Sequence, residues 1–340
     1  VGEQEGITMT VSAVDEDFLR QADPYRGELL AHCYRMLGSV HDAEDLVQET
    51  YLRAWRGYDK FEGRSSLRTW LYRIATSACL TALESRNRRP LPTGLGGPTE
   101  DPSAPLVQNH EVPWLEPVPD AKVGADDPAA VVTSRESIRL ALIAALQHLP
   151  ARQRAVLILR DVLKWKAAEV ADLLETTTTA VNSILQRARA QLDKAGLSED
   201  VVVEPTSQDQ RELLDRYAKA FEDYDVNAIV ELFTKDAVME MPPFLSWFQG
   251  PENIGGLIRN HCPAEGPGDQ VLVPVEANGQ PAFAVYMIAD DGVHRAFQTQ
   301  VLALTPSGEV SHVTVFFDTS LFETFGLPDV LPSDRRQLVR

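Results

Sequence analysis

The chain is 340 residues long, 44% hydrophobic, and carries a net charge of −18. It is long enough for two or three domains and apolar enough to bury real cores, which excludes a disordered chain. Its three cysteines are odd in number and form no CxxC pair, which argues against a disulfide framework or a zinc site, and no apolar run approaches a membrane span. The opening VGEQEGITMT lacks the basic and apolar stretches of a signal peptide, so a reducing cytoplasm is the expected location. The charge is uneven. Residues 25–90 carry 11 basic and 8 acidic side chains and residues 134–195 carry 10 and 6, whereas residues 196–340 carry 9 and 23. Two basic modules inside an acidic chain suit polyanion binding beside segments that compete with the polyanion.

Residues 1–24 read as an acidic leader and 25–90 as a helical module. Within DAEDLVQETYLRAW, Ala43, Leu46, Val47, Thr50, Tyr51, Ala54 and Trp55 recur at helical spacing and mark one buried face. Asp45, Glu49, Arg53 and Arg56 fall on other faces, and Asp42 is placed to cap the helix. Tyr58, Phe61, Trp70 and Tyr72 then interleave with Arg56, Lys60, Arg64, Arg68 and Arg73, and Arg86, Arg88 and Arg89 end the module. Rings beside arginines suit unpaired nucleic acid, because stacking is worth about 1–3 kcal/mol per base. Phe61 and Trp70 would serve equally as core.

Residues 91–132 form a linker: nine of the 22 prolines lie between Pro90 and Ala130. The apolar island VPWLEP, with Trp114 and Leu115, is expected to dock on a domain. Residues 133–196 resume helical periodicity, with a capping box at Thr133 and Glu136 for a helix through Gln147. KAAEVADLLE followed by TTTTAVNSILQRARAQL reads as a helix-turn-helix. Ala168, Val170, Ala171, Leu173 and Leu174 supply the buried face of its first helix, and Asn182, Ser183, Gln186, Arg187 and Arg189 point outward from its second. After a joint at 197–206, residues 207–328 show helices at about 208–222 and 226–234, then five β-rich runs punctuated by Asn278-Gly279 and Asp291-Gly292. Helices first and antiparallel strands after imply an α+β domain, and 329–340 are a tail.

Together the first two motifs resemble regions 2 and 4 of the extracytoplasmic-function sigma factors of bacterial RNA polymerase. LPARQRAVLILRDVLKWKAAEVADLL, Leu149 to Leu174, is similar to the region 4 pattern. The resemblance implies that Asp42, Asp45, Gln48 and Glu49 bind the β′ coiled coil of core polymerase, and that region 4 meets the β flap. It implies that Tyr58, Phe61, Arg64, Ser65, Trp70, Arg73, Arg86 and Arg88 act on the −10 element. It gives Thr178, Thr179, Asn182, Ser183, Gln186, Arg187 and Arg189 to the −35 element. Two departures stand out. Trp70-Leu71 replaces the Trp pair of primary sigma factors, and Val181-Asn182-Ser183-Ile184 lacks the two cations usual in the recognition helix.

Residues 207–327 resemble SnoaL-like domains of the ketosteroid-isomerase-type cone fold. VPWLEP and NGQPA, Asn278 to Ala282, resemble signatures of sigma factors that carry such a domain. The expected architecture is therefore multidomain: two all-α sigma domains and an α+β cone with a curved antiparallel sheet. The cone implies an apolar pocket, with Met239, Met241, Trp247, Tyr286, His294, Gln298 and Asp318 as candidates for an unidentified small ligand. An isomerase or cyclase would need a base such as Asp318 or His294 and an oxyanion donor such as Tyr286. Promoter DNA and core polymerase are the expected partners, with the acidic domain modulating the factor and no dedicated anti-sigma factor. No cofactor, metal, catalytic residue or membrane contact is expected. The other reading is a DNA-binding regulator that uses its helix-turn-helix without polymerase.

Overall fold

The computed structural model describes residues 13–85, 88–123, 137–194 and 207–333. The first module has four helices: α1 (Ala13–Ala22), α2 (Arg26–Leu37), α3 (Val40–Gly57) and α4 (Leu67–Glu84). Gly38, at φ 72°, ends α2 with its N–H on the Tyr34 carbonyl at 2.8 Å. Only glycine takes that conformation cheaply. Ser39 is then extended, and its Oγ accepts the Asp42 N–H at 3.1 Å. The cap is thus Ser39 rather than Asp42, which is the third helical residue. Part of the leader also folds: Phe18 and Ala22 of α1 are buried, and Phe18 packs edge-on against Tyr58 at 5.1 Å.

The second module comprises helices Leu140–Leu146, Ala151–Leu157, Ala167–Leu173 and Thr178–Lys194. A π-helical turn, Ile158–Val162, extends the second of these. The box expected at Thr133 and Glu136 lies outside the described residues. Residues 88–123 carry little regular structure, yet Leu91, Leu115, Val118 and Val123 are buried. The linker is docked, as VPWLEP suggested.

The C-terminal part has helices Ser207–Glu222, Val226–Val230 and Pro251–His261 and six strands: β1 (Phe233–Glu240), β2 (Trp247–Gln249), β3 (Gln270–Ala277), β4 (Gln280–Ile288), β5 (His294–Leu304) and β6 (Val310–Phe316). The order is β2-β1-β6-β5-β4-β3. All neighbours are antiparallel except β1 and β6, so the expected antiparallel sheet is mixed. The physical reason is that the last strand returns to pair beside the first, in the same direction. β2 and the Pro251–His261 helix were not foreseen, and the predicted helix 226–234 stops at Val230 because β1 begins at Phe233.

One sheet face carries Phe283, Val285, Leu302 and Val313 into a core shared with the long helix, whose Tyr217 stacks on Phe283 at 5.6 Å. The opposite face contributes Ala282, Val301 and Phe316 to the core of the two helical modules. The sheet is therefore covered on both sides, once by its own helices and once by the rest of the protein.

Candidate nucleic-acid interface

Along α3, Ala43, Val47, Thr50, Tyr51 and Ala54 are buried as the periodicity required. Trp55 departs from it and is 45% exposed, beside an exposed Leu52. Asp45 and Gln48 are exposed, and Glu49 is half-exposed and paired with Arg53. Asp42 stands apart from them: it is largely covered and held by Arg89. Arg89 also donates to the Trp114 carbonyl at 2.8 Å, so this cation is committed to internal partners rather than to phosphate.

Beyond α3 the aromatics form a stack. Phe61 lies on Trp70 with centroids 4.8 Å apart and planes 25° apart, and Tyr58 lies 6.5 Å from Phe61. Gly57 makes room for Trp70, since a Cβ there would stand 3.3 Å from the indole. All three rings are half-buried, so they are neither closed core nor free surface. Leu71, in contrast, is fully buried and takes no part in that surface. Arg64 and Ser65 are exposed, with Arg64 paired to Glu62. Arg73 reaches Asp172 of the helix-turn-helix at 2.8 Å, and Arg88 is exposed past the end of α4. Arg86 lies outside the described residues.

In the helix-turn-helix, Glu175 at φ 50° closes the first helix, and Thr177 Oγ1 accepts the Ala180 N–H at 3.1 Å to cap the second. Val181, Leu185 and Ala188 face inward, which leaves Thr178, Thr179, Asn182, Ser183, Gln186, Arg187 and Arg189 exposed on one surface. Ala168 is exposed and Ala167 takes the place expected for it against the core. Arg189 is paired with Asp161 at 2.7 Å. Arg187 has no acid paired to it among the described residues.

Residues 22–89 match the sigma-70 region 2 family, residues 139–192 match sigma-70 region 4, and residues 210–314 match the nuclear transport factor 2 (NTF2) domain. The ECF RNA polymerase sigma factor SigG of Mycobacterium tuberculosis is 60% identical over 316 residues, 93% of this chain and 85% of SigG. SigJ of the same organism is 28% identical over 82% of this chain and 85% of its own length. The crystal structure of SigJ shares the fold, with a TM-score of 0.59 over 91% of this chain and all of SigJ at 22% identity. The chain belongs to the ECF sigma factors.

In this sigma factor the linker grips the start of α3. Leu115 is fully buried with its N–H on the Pro90 carbonyl, and Trp114 Nε1 donates to the Asn109 carbonyl at 2.8 Å. Glu116 accepts from Ser39 Oγ at 2.7 Å, and its Oε2 lies 3.0 Å from His41 Nδ1. Burial opposes the Glu116 charge, but hydrogen bonds from His41 and Ser39 and the nearby Arg89 hold its pKa below the usual carboxylate value. The same hydrogen bond raises the His41 pKa against partial burial. The other ring nitrogen of His41 lies 3.1 Å from Thr324 Oγ1, so the C-terminal domain touches the end of α3 as well.

The three parts of the sigma factor meet at Asn278, which belongs both to the Asn-Gly turn and to the NGQPA motif. It is fully buried at φ 59° in the β3–β4 turn. Its Nδ2 donates to Tyr34 Oη at 2.7 Å and to the Ile138 carbonyl at 2.6 Å, while its Oδ1 accepts the Val118 N–H at 2.9 Å. Gly279 N–H donates to Asp120 Oδ1, and Gln280 Oε1 accepts the Leu140 N–H at 3.0 Å. Tyr34 passes the connection on by donating to the Glu116 carbonyl at 2.8 Å, and burial pushes its hydroxyl pKa far up, keeping it protonated.

The candidate pocket residues divide between the two faces of the sheet and its surroundings. Met239 and Met241 belong to the core between sheet and helices, and Gln298 pairs across to Val285 beside it. Tyr286 turns the other way, edge-on to Phe322, and donates to the Pro328 carbonyl at 2.8 Å. Trp247 Nε1 donates to the Gly96 carbonyl at 2.9 Å. His294 lies 2.8 Å from the Gly268 carbonyl, and Asp318 is exposed, accepting from Ser320. Strand alternation sets Tyr286 on the face opposite Gln298, whose cross-strand partner is Val285, because the sheet presents successive residues to opposite faces. Among the described residues no group of three His, Cys, Asp or Glu side chains is placed to hold a metal, and no helix is long and apolar enough to cross a membrane.

Proposed function

We propose that this sigma factor brings core polymerase to its promoters under the control of its own C-terminal domain, within the cytoplasm and without a dedicated anti-sigma factor. Asp42, Asp45, Gln48 and Glu49 hold the β′ coiled coil, the Tyr58–Phe61–Trp70 stack with Arg64, Ser65, Arg73, Arg86 and Arg88 receives the opened −10 strand, and region 4, seated on the β flap, reads the −35 element. The carrying observation is Asn278, whose one side chain bonds region 2, the linker and the lead-in to region 4. Trp114 and Leu115 add the docked linker that holds Glu116 beside Ser39 and His41. The C-terminal domain acts here as a regulator and not as an enzyme, a reading supported by the engagement of Tyr286 and His294 with the Pro328 and Gly268 carbonyls and of Asp318 with Ser320.

Run-off transcription with core polymerase tests this. Truncation after Ala195 should change output by about fivefold or more, the lower end of an ordinary coupling free energy. Equal output from truncated and full-length factor at every salt concentration would overturn self-control.

Promoter reading has its own test. Asn182 is exposed on the recognition helix and suits bidentate pairing with adenine. Asn182→Ala should weaken binding at the cognate −35 element by about 1–3 kcal/mol and leave altered elements unchanged. Arg187→Ala should weaken binding to all of them alike and flatten its salt dependence. Binding titrations on cognate and altered −35 duplexes would separate the two, and an equal loss on all of them from Asn182→Ala would count against base reading.

A further inference from the structure

A cavity of about 650 Å³ lies in the seam between the region 4 lead helix and the outer face of the C-terminal sheet. It is on the opposite side of that sheet from the core that the cone would enclose. Small residues line it from both sides: Ala141, Ala144 and Ala145 from the helix and Val301 and Ala303 from β5. Side chains this short leave space where an interior at ordinary packing density would have none. The volume falls in the range of small-molecule sites, roughly 300–1,000 Å³.

Its charged lining groups include Glu240 and Arg88. Glu240 is fully buried at one side, but its carboxylate is already satisfied by His312 at 2.7 Å and the Thr93 N–H at 3.0 Å. Arg88, which also lines the cavity, has no acid paired to it among the described residues. Its guanidinium donates to His148 Nδ1 at 2.8 Å and to the Gly94 carbonyl at 3.1 Å, both neutral acceptors. Burial, then the charges of Arg88 and Arg154, holds the His148 pKa below the usual imidazole value, consistent with a neutral ring that accepts from Arg88. The seam therefore offers a largely apolar slot lined by a guanidinium that, among the described residues, donates only to neutral acceptors.

We propose that this seam is a binding site for a small amphipathic carboxylic acid, its carboxylate on Arg88 and its apolar body between the alanine face of the lead helix and β5. Such a ligand would touch region 4 and the C-terminal domain at once. The claim concerns binding alone and stands whether or not the domain controls transcription.

Calorimetric titration of the full-length protein with octanoate, and with 1-octanol as the neutral counterpart, provides the test. Octanoate should bind saturably at one site, and Arg88→Gln should weaken it about tenfold, the scale of one charge-assisted contact, while leaving 1-octanol unaffected. Ala144→Trp, checked for folding by circular dichroism, should abolish binding of both probes by filling the slot. Arg88 is exposed, so its variant keeps the test decisive even if the tryptophan disturbs the fold. Absence of saturable octanoate binding, or affinity unchanged in Arg88→Gln, would overturn the proposal.

Discussion

Asn278→Ala should loosen the C-terminal domain from both sigma modules and destabilise the protein by about 4 kcal/mol, from three buried partners left short and a strained backbone. The Val118 N–H loses its side-chain acceptor, and the Ile138 carbonyl and Tyr34 hydroxyl each lose a donor. Alanine also inherits φ 59°, which asparagine tolerates better than other side chains. Asn278→Gly removes the bonds without that strain, so the difference between the two variants isolates the backbone contribution. Asn278→Asp keeps the acceptor for Val118 but has no donor for Tyr34 or Ile138. Urea unfolding and limited proteolysis of the linker would follow the effect. Unchanged proteolysis in Asn278→Ala would show that the domain is held elsewhere.

The second large effect is expected at Arg154, which ties region 4 to region 2. Its Nη1 donates to the Met36 carbonyl and to Gln147 Oε1, and its Nη2 to the carbonyls of Gln147 and Leu149. Arg35 makes the reciprocal reach, donating to the Ser137 carbonyl at 3.2 Å and its hydroxyl at 2.6 Å. Burial pulls both guanidiniums down to about 10, which still leaves them charged at neutral pH. Arg154→Ala strands several carbonyls and opens a void, a loss of about 3–5 kcal/mol. Arg154→Met keeps the volume and removes a desolvated charge, so its loss should be less than half as large. Thermal unfolding of the two variants checks this ordering, and equal losses would show that hydrogen bonding outweighs packing at this seam.

Elements set by local pattern were readable from the sequence; those set by distant partners were not. The stripe Ala43, Val47, Thr50, Tyr51 and Ala54 announced α3, but Trp55 sits a further 100° round the helix and turns to solvent. Gly38-Ser39 held the stop and start signals between α2 and α3, and the more conspicuous acid at Asp42 drew the cap away from them. The outward set on the recognition helix was legible because 3.6-residue periodicity alone decides it. Tyr34 and Asn278, 244 residues apart, share no local signal beyond the NGQPA motif. The division of the pocket set between faces has a related cause: which face met the rest of the protein depended on the return of β6 beside β1.

The pairing of Arg64 with Glu62, Arg73 with Asp172 and Arg189 with Asp161 bears on how the factor meets DNA. Each of these cations already has an anion, so a phosphate that engages it displaces a carboxylate rather than arriving at a bare charge. The net release of small ions per contact is then smaller than the number of arginines suggests, because each displaced carboxylate gathers cations of its own. Part of the electrostatic drive is spent on exchange within the protein, which tilts binding toward sites where base contacts supply the remainder.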